Sequence, residues 1–171
     1  MREAIFDVLG SLGAVEGAAV LDCFAGSGAL GIEALSRGAA SVAFVDSDPD
    51  ALSAVRANLA GVGLDARHDT RLVRADALSF LSDPASGRYD LALLDPPYRF
   101  AHWTPLLERL RASTIVLESS SPVDLPPPWH LYRVYRYGGT LVTVATEAAT
   151  PAEAIGECQR GAHGRPEARG R

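Results

Sequence analysis

Four short apolar runs, at residues 19–21, 42–45, 70–73 and 91–94, are each followed by turn-forming or acidic residues and then by a longer amphipathic stretch. No other feature restricts the fold as much, because strands that alternate with helices in this way add to a parallel sheet through right-handed crossovers. The patterning predicts helices over residues 28–36, 48–59, 77–81 and 102–110, the second opened by Asp48-Pro49 and stopped by Gly61 and Gly63. A fifth strand over residues 114–118 leads into a proline-rich loop, 122–128, that can neither continue a helix nor supply a central strand. Residues 130–137 and 140–146 are extended runs joined by Gly138-Gly139, a hairpin signal because glycine tolerates positive φ at both turn positions. The expected fold class is α/β, with a mostly parallel sheet that ends in an antiparallel pair.

A length of 171 residues suits one domain. That domain is expected over residues 1–148, and residues 149–171, poor in apolar periodicity and rich in glycine, proline and arginine, are expected to be a disordered tail. No apolar run approaches the ~18 residues of a membrane span, and the charged first eight residues do not read as a signal peptide, so a cytoplasmic protein without a membrane partner is expected. Cys23 and Cys158 form no disulfide framework and no metal-ligand spacing, and no metal is expected. The net charge of −5 argues against a uniformly basic nucleic-acid surface but leaves room for a local basic patch. All 16 basic residues are arginine, which reads first as genomic base composition.

Gly26-Ser27-Gly28-Ala29-Leu30-Gly31 follows the first strand and opens a helix, and Asp46 closes the second strand. A tight strand-to-helix turn needs glycine even when it binds nothing, so the neighbouring residues decide. In a dinucleotide site the glycines follow the strand at once and backbone N–H groups meet a pyrophosphate. Here Asp22 ends the strand ahead of Cys23-Phe24-Ala25, placing negative charge where a pyrophosphate is repelled and an ammonium or sulfonium is attracted. S-adenosylmethionine carries both cations. Asp46 supplies an acceptor for two ribose hydroxyls, while Asp76-Ala77 offers a carboxylate and a backbone N–H to adenine; Asp76 equally suits the N-cap of the helix that starts at Ala77. Phe24 and Ser47, beside Asp22 and Asp46, are counted with this cofactor site, as is Asp95.

Asp95-Pro96-Pro97-Tyr98 directly follows the strand at 91–94, at the sheet edge where open α/β folds bind ligands. Its two prolines fix the loop and remove two donors, leaving a carboxylate and carbonyl oxygens that suit an amine. Asp95 and the Pro96 carbonyl could accept both hydrogens of an exocyclic base amine and aim its lone pair at a methyl donor. Tyr98 could stack on an extruded base. A plain rigid turn with a rim aromatic is the alternative. His68, His102, His130 and His163 form no constellation with a nucleophile, and His102 reads as a helix-start residue.

Residues 20–39, Val-Leu-Asp-Cys-Phe-Ala-Gly-Ser-Gly-Ala-Leu-Gly-Ile-Glu-Ala-Leu-Ser-Arg-Gly-Ala, together with Asp95-Pro96-Pro97-Tyr98, resemble the RsmD family of ribosomal RNA guanine-N2 methyltransferases. The similarity runs from Arg2-Glu3-Ala4-Ile5-Phe6 to the hairpin at Tyr137-Gly138-Gly139-Thr140. It implies a Rossmann-like class I fold with a seven-stranded sheet, S-adenosylmethionine as cofactor, and as acceptor the N2 amine of a guanine in 16S ribosomal RNA within an assembling small subunit. Asp22, Gly26, Gly28, Asp46, Asp76 and Asp95 occupy the family's functional positions, and Gly31 the place where helix and sheet pack closely. Arg67, Arg71, Arg74, Arg99, Arg133 and Arg136 are candidate phosphate contacts, and a monomer is expected. Family members carry a basic, glycine-rich segment and a Thr-Asp-Arg run ahead of the position of Arg2; here Met1 stands there, which implies either an upstream start or a weakened cofactor or RNA contact. The rival expectations are a DNA amino-methyltransferase, a catalytically silent cofactor- or RNA-binding module, and, third, a nicotinamide enzyme.

Overall fold

The computed structural model describes residues 2–64 and 69–147; the segment expected to be a tail, 149–171, lies outside the described residues. The chain forms α1 (Arg2–Ser11), β1 (Ala19–Cys23), α2 (Ala29–Ser36), β2 (Ser41–Asp46), α3 (Pro49–Gly61), β3 (Asp69–Arg74), α4 (Ala77–Ser82) and a 3-10 turn at Pro84–Ser86. It continues through β4 (Tyr89–Leu94), α5 (Trp103–Arg109), β5 (Ala112–Ser119), β6 (His130–Tyr137) and β7 (Thr140–Thr146). The seven strands are ordered β3-β2-β1-β4-β5-β7-β6, with β1 to β5 parallel and β7 antiparallel to both β5 and β6. All four sequence-predicted βα units are present, and the hairpin folds back so that its second strand pairs with β5 and its first becomes the sheet edge.

Burial explains the continuous apolar runs. Leu91, Ala92, Leu93 and Leu94 of β4 are each 1% exposed or less because helices cover both faces of a parallel sheet. On one face α1, α2 and α3 bring Ile5, Phe6, Leu35, Val55 and Leu59 onto Val20, Phe44 and Leu93. On the other, α4, α5 and Trp129 cover Leu21, Cys23, Val45 and Leu94. Each fully buried leucine or phenylalanine contributes about 1.5–3 kcal/mol. The Trp129 indole Nε1–H donates to the Leu107 carbonyl at 3.0 Å, fastening the proline-rich segment to α5.

Two expectations are corrected. Gly28 is not the first residue of α2 but its left-handed cap, φ 78°, and His102 likewise precedes α5. In the hairpin only Gly138 has positive φ, 60°; a single positive position at the first turn residue is the type II′ solution, so Gly139 needs no left-handed conformation. Asp48 caps α3 by accepting from the Asp50 N–H at 2.9 Å, as its place before Pro49 implied.

Candidate cofactor and substrate site

The strand order reverses between β1 and β4, and ligands of open α/β sheets bind in the crevice that this reversal opens beyond the carboxyl ends. The residues that follow these two strands are Phe24 to Gly28 on one side and Asp95 to Tyr98 on the other.

The chain leaving β1 turns sharply. Phe24 adopts φ 68°, and it is the one non-glycine residue with positive φ among the described residues. A side chain there costs of order 1–3 kcal/mol, a strain typical of functional turns. The turn is held because the Phe24 and Ala25 N–H groups both donate to the Val45 carbonyl, at 3.0 and 3.1 Å. Gly26 then donates its N–H to Asp46 Oδ2 at 2.9 Å, and Asn58 Nδ2 of α3 donates to the Ser27 carbonyl at 2.9 Å. Asp46 Oδ1 accepts from the Asp48 N–H at 2.9 Å, spanning exposed Ser47. Each Asp46 oxygen keeps a lone pair for an outside donor such as a hydroxyl.

The glycines do different jobs. Gly26 faces open space, so a ligand can approach its backbone. A Cβ on Gly31 would lie 2.4 Å from Phe44 Cε1 and 2.9 Å from Asp22 Oδ2, so that residue exists for helix–sheet approach, as its position implied. Asp76 caps α4 by accepting from the Ser79 N–H at 3.1 Å, which leaves Oδ2 without a bond among the described residues; Ala77 is buried beneath it.

Asp22 is placed differently from the open, crevice-lining carboxylate that the sequence suggests. It is 2% exposed, and its Oδ2 accepts the Gly31 N–H at 2.9 Å. Burial pushes its carboxyl up to about 7, with the charges of Asp95 and Asp46 adding to the rise and the Gly31 hydrogen bond opposing it. Any influence it has on a cation passes through the field and through the glycine loop that it anchors. The neighbouring Cys23 thiol is pushed up to about 12 by burial, so it is an inert core group.

Across the crevice, the Pro97 carbonyl accepts the Phe100 N–H at 2.8 Å, while the Pro96 carbonyl and the Asp95 carboxylate have no hydrogen-bond partner among the described residues. Burial also holds Asp95 above the usual carboxylate range. Tyr98 is 78% exposed. A cleft of about 210 Å³ opens here, lined among others by Asp95, Pro96, Tyr98, Trp103, Glu118 and Thr140. That volume is below the ~300 Å³ lower end of drug-sized sites and suits a single planar group. Phe24 meets Phe100 edge-on at 5.2 Å, and Phe100 meets Trp103 at 5.1 Å and His102 at 6.0 Å, so one aromatic row links the glycine turn to the cleft.

Sequence reasoning missed Glu118, Phe100 and Trp103. The available signal for Glu118 was its place at the carboxyl end of β5, beside the strand that carries Asp95. The arginines are not gathered: Arg71 and Arg74 lie on β3 and Arg133 and Arg136 on β6, the two opposite sheet edges, with Arg99 next to the cleft and Arg67 outside the described residues. Among the described residues no group of three or more His, Cys, Asp or Glu side chains could hold a metal, and no helix is long and apolar enough to cross a membrane.

Residues 1–146 match the family model described as "Conserved hypothetical protein 95". Curated relatives named "Ribosomal RNA small subunit methyltransferase D" come from Buchnera aphidicola subsp. Acyrthosiphon pisum, 28% identical over 78% of this chain and 72% of the relative, and from Escherichia coli (strain K12), 37% identical over 58% and 47%. The match thus spans about half the length of the second. The Escherichia coli protein yhhF superposes with a TM-score of 0.75 at 30% identity, covering 87% of this chain and 85% of that chain. Magnesium protoporphyrin IX methyltransferase (ChlM) from Synechocystis PCC 6803 with bound SAM shares the fold at 14% identity, TM-score 0.69, over 86% and 78%. The fold is the Rossmann-like class I methyltransferase fold.

Proposed function

From its membership of the RsmD family, the family of ribosomal RNA small subunit methyltransferase D, we propose that the chain methylates the exocyclic N2 amine of a guanine in small-subunit ribosomal RNA. It is an S-adenosylmethionine-dependent RNA methyltransferase. The observation that carries the finer reading is the pair of unsatisfied acceptors, Asp95 carboxylate and Pro96 carbonyl, at the mouth of an aromatic cleft sized for one base.

The donor set fits the cofactor. Asp46 and Asp95 face the crevice and the buried Asp22 lies beneath its glycine loop, an acidic surround that favours an ammonium and a sulfonium and repels a pyrophosphate. Asp46 with Ser47 would take the ribose, Asp76 and Ala77 the adenine, and Phe24, Gly26 and Gly28 the turn around the cofactor, with Asp22 and Asp95 toward its cations. When bound, S-adenosylmethionine supplies an electrophilic methyl group. The chain's own residues prepare the acceptor. A base amine is a poor nucleophile because its lone pair is delocalised, and Asp95 with the Pro96 carbonyl accept both N–H hydrogens so that the nitrogen becomes pyramidal and its lone pair is aimed. Tyr98 stacks on the base. Burial keeps Asp95 more basic than a surface carboxylate, which readies it to take the proton that the amine must lose after transfer. No covalent enzyme intermediate is needed. The acceptor RNA sits in an assembling small subunit, whose shape gives selectivity that scattered arginines alone do not.

The test is transfer of labelled methyl from S-adenosylmethionine to small-subunit particles from cells lacking such an enzyme, with free RNA and DNA in parallel and the product mapped by mass spectrometry. One N2-methylguanine in the RNA is expected, and Asp95→Ala is expected to lower kcat by about 10²–10³-fold while cofactor binding persists. Transfer to DNA alone would refute the ribosomal assignment. Cofactor binding without transfer to any acceptor would leave a silent binding module.

A further inference from the structure

The Asp-Pro-Pro-Tyr turn explains how an amine is held, but not which base is chosen, since guanine, adenine and cytosine all present an exocyclic amine. A second carboxylate in the same cleft addresses that choice. Glu118 lies near the end of β5, the strand that pairs with β4 through Leu94 and Leu117, so the residues next along the two strands, Asp95 and Glu118, are neighbours at the sheet edge. Both line the cleft of about 210 Å³. Glu118 is half-buried, and its carboxylate has no hydrogen bond or ion pair among the described residues. A carboxylate in that position is free to accept from a donor bound in the cleft.

We propose that Glu118 reads the base, accepting the ring N1–H of guanine while Asp95 holds the adjoining N2 amine; this rests on the amine-methylation reading above. Glu118, Asp95 and the Pro96 carbonyl then meet the three donors that stand side by side on guanine, N1–H and the two amine hydrogens. In adenine and cytosine the Watson–Crick ring nitrogen beside the amine carries a lone pair instead, which an ionised Glu118 repels. Selection thus comes from an attraction to the right base and a repulsion of the wrong ones. Burial and the nearby Asp95 charge push the Glu118 carboxyl up to about 7, and an N1–H donor in the cleft favours its ionised form.

The experiment uses the full chain and small-subunit particles reconstituted on ribosomal RNA that carries, at the mapped target, either guanine or 2-aminopurine. The analogue keeps the N2 amine but has a lone pair at N1. The wild-type chain should prefer guanine by about 10- to 100-fold in kcat/KM, the worth of one hydrogen bond to a charged group. In Glu118→Gln the ratio should fall to within about threefold of unity, because an amide can accept from N1–H or donate to the lone pair with similar ease. Glu118→Ala, which has neither option, should lose the preference too. Both substrates are compared on one preparation, so a smaller folded fraction cancels from the ratio. An unchanged ratio in Glu118→Gln, or no preference in the wild type, overturns the role of Glu118 and leaves amine methylation standing. Transfer to neither base by the wild type overturns both.

Discussion

Replacing Asp22 by asparagine should make the protein more stable at alkaline pH than at acid pH relative to wild type, and the difference can be worked from the structure. Asp22 is 2% exposed and its carboxyl is raised from 3.8 to about 7, chiefly by burial. An acid whose pKa rises on folding binds more protons folded than unfolded. Its contribution is therefore fully present below the unfolded value and is lost as pH climbs through the folded one, so wild-type stability falls between about pH 4 and about pH 8. At about 1.36 kcal/mol per unit, the ionised group costs roughly 4 kcal/mol above pH 8 and about 1.5–2 kcal/mol at pH 5.

The asparagine introduced by Asp22→Asn can still accept the Gly31 N–H through its carbonyl oxygen, but its new N–H donors are buried without a built-in partner, a cost of about 1–3 kcal/mol. That cost is the same at both pH values, so the informative quantity is the change in the variant's advantage. Urea unfolding of both proteins at pH 5 and pH 8 should show Asp22→Asn gaining about 2–3 kcal/mol more at the higher pH. For a chain of this size that corresponds to a relative Tm gain of roughly 5–10 °C. Equal gains at the two pH values, within about 0.5 kcal/mol, would mean that Asp22 stays ionised under α2 and that the Gly31 hydrogen bond outweighs desolvation.

Tyr98→Ala should change stability by less than about 0.5 kcal/mol, because the ring is 78% exposed, yet raise KM for the RNA by about 5- to 150-fold, the value of one lost base stack. Gly31→Ala should destabilise by about 1–3 kcal/mol in the same urea assay, since its Cβ would sit 2.4 Å from a carbon of the buried Phe44 ring. Trp129→Phe should cost about 1–3 kcal/mol by leaving the Leu107 carbonyl unpaired, with unchanged cofactor affinity by calorimetry because α5 lies on the substrate side.

What was legible in the sequence was local. The strands begin and end within two residues of the apolar runs that predict them, because a strand covered on both faces must be apolar throughout and its neighbours must turn. The Asp48-Pro49 start and the cap at Asp76 follow from residues within one turn of each other, and the close packing at Gly31 from its place in the glycine motif. Pairings that depend on the return of a distant strand were not legible. The order of β6 and β7 beside β5, the Phe24–Phe100 contact and the place of Glu118 all join segments more than 20 residues apart. The arginines show the same limit: six positions read as candidate phosphate contacts, and the strand order sends four of them to opposite edges.

The carboxylates divide by what satisfies them, and that division points to where ligands act. Asp46, Asp48 and Asp76 accept backbone N–H groups that the fold already provides, so they shape loops whether or not anything is bound. Asp22, Asp95 and Glu118 are raised together by desolvation, and for Asp22 and Glu118 the charge of Asp95 adds to it. A cluster of like-charged groups with few partners is a local conflict of the kind that natural sequences keep at functional sites. A ligand carrying two cations beside Asp46 and Asp95, above buried Asp22, and a base whose donors meet Asp95 and Glu118 would resolve it. On the proposed reading Asp95 is common to both sets, so its loss should uncouple two bindings that each remain possible alone.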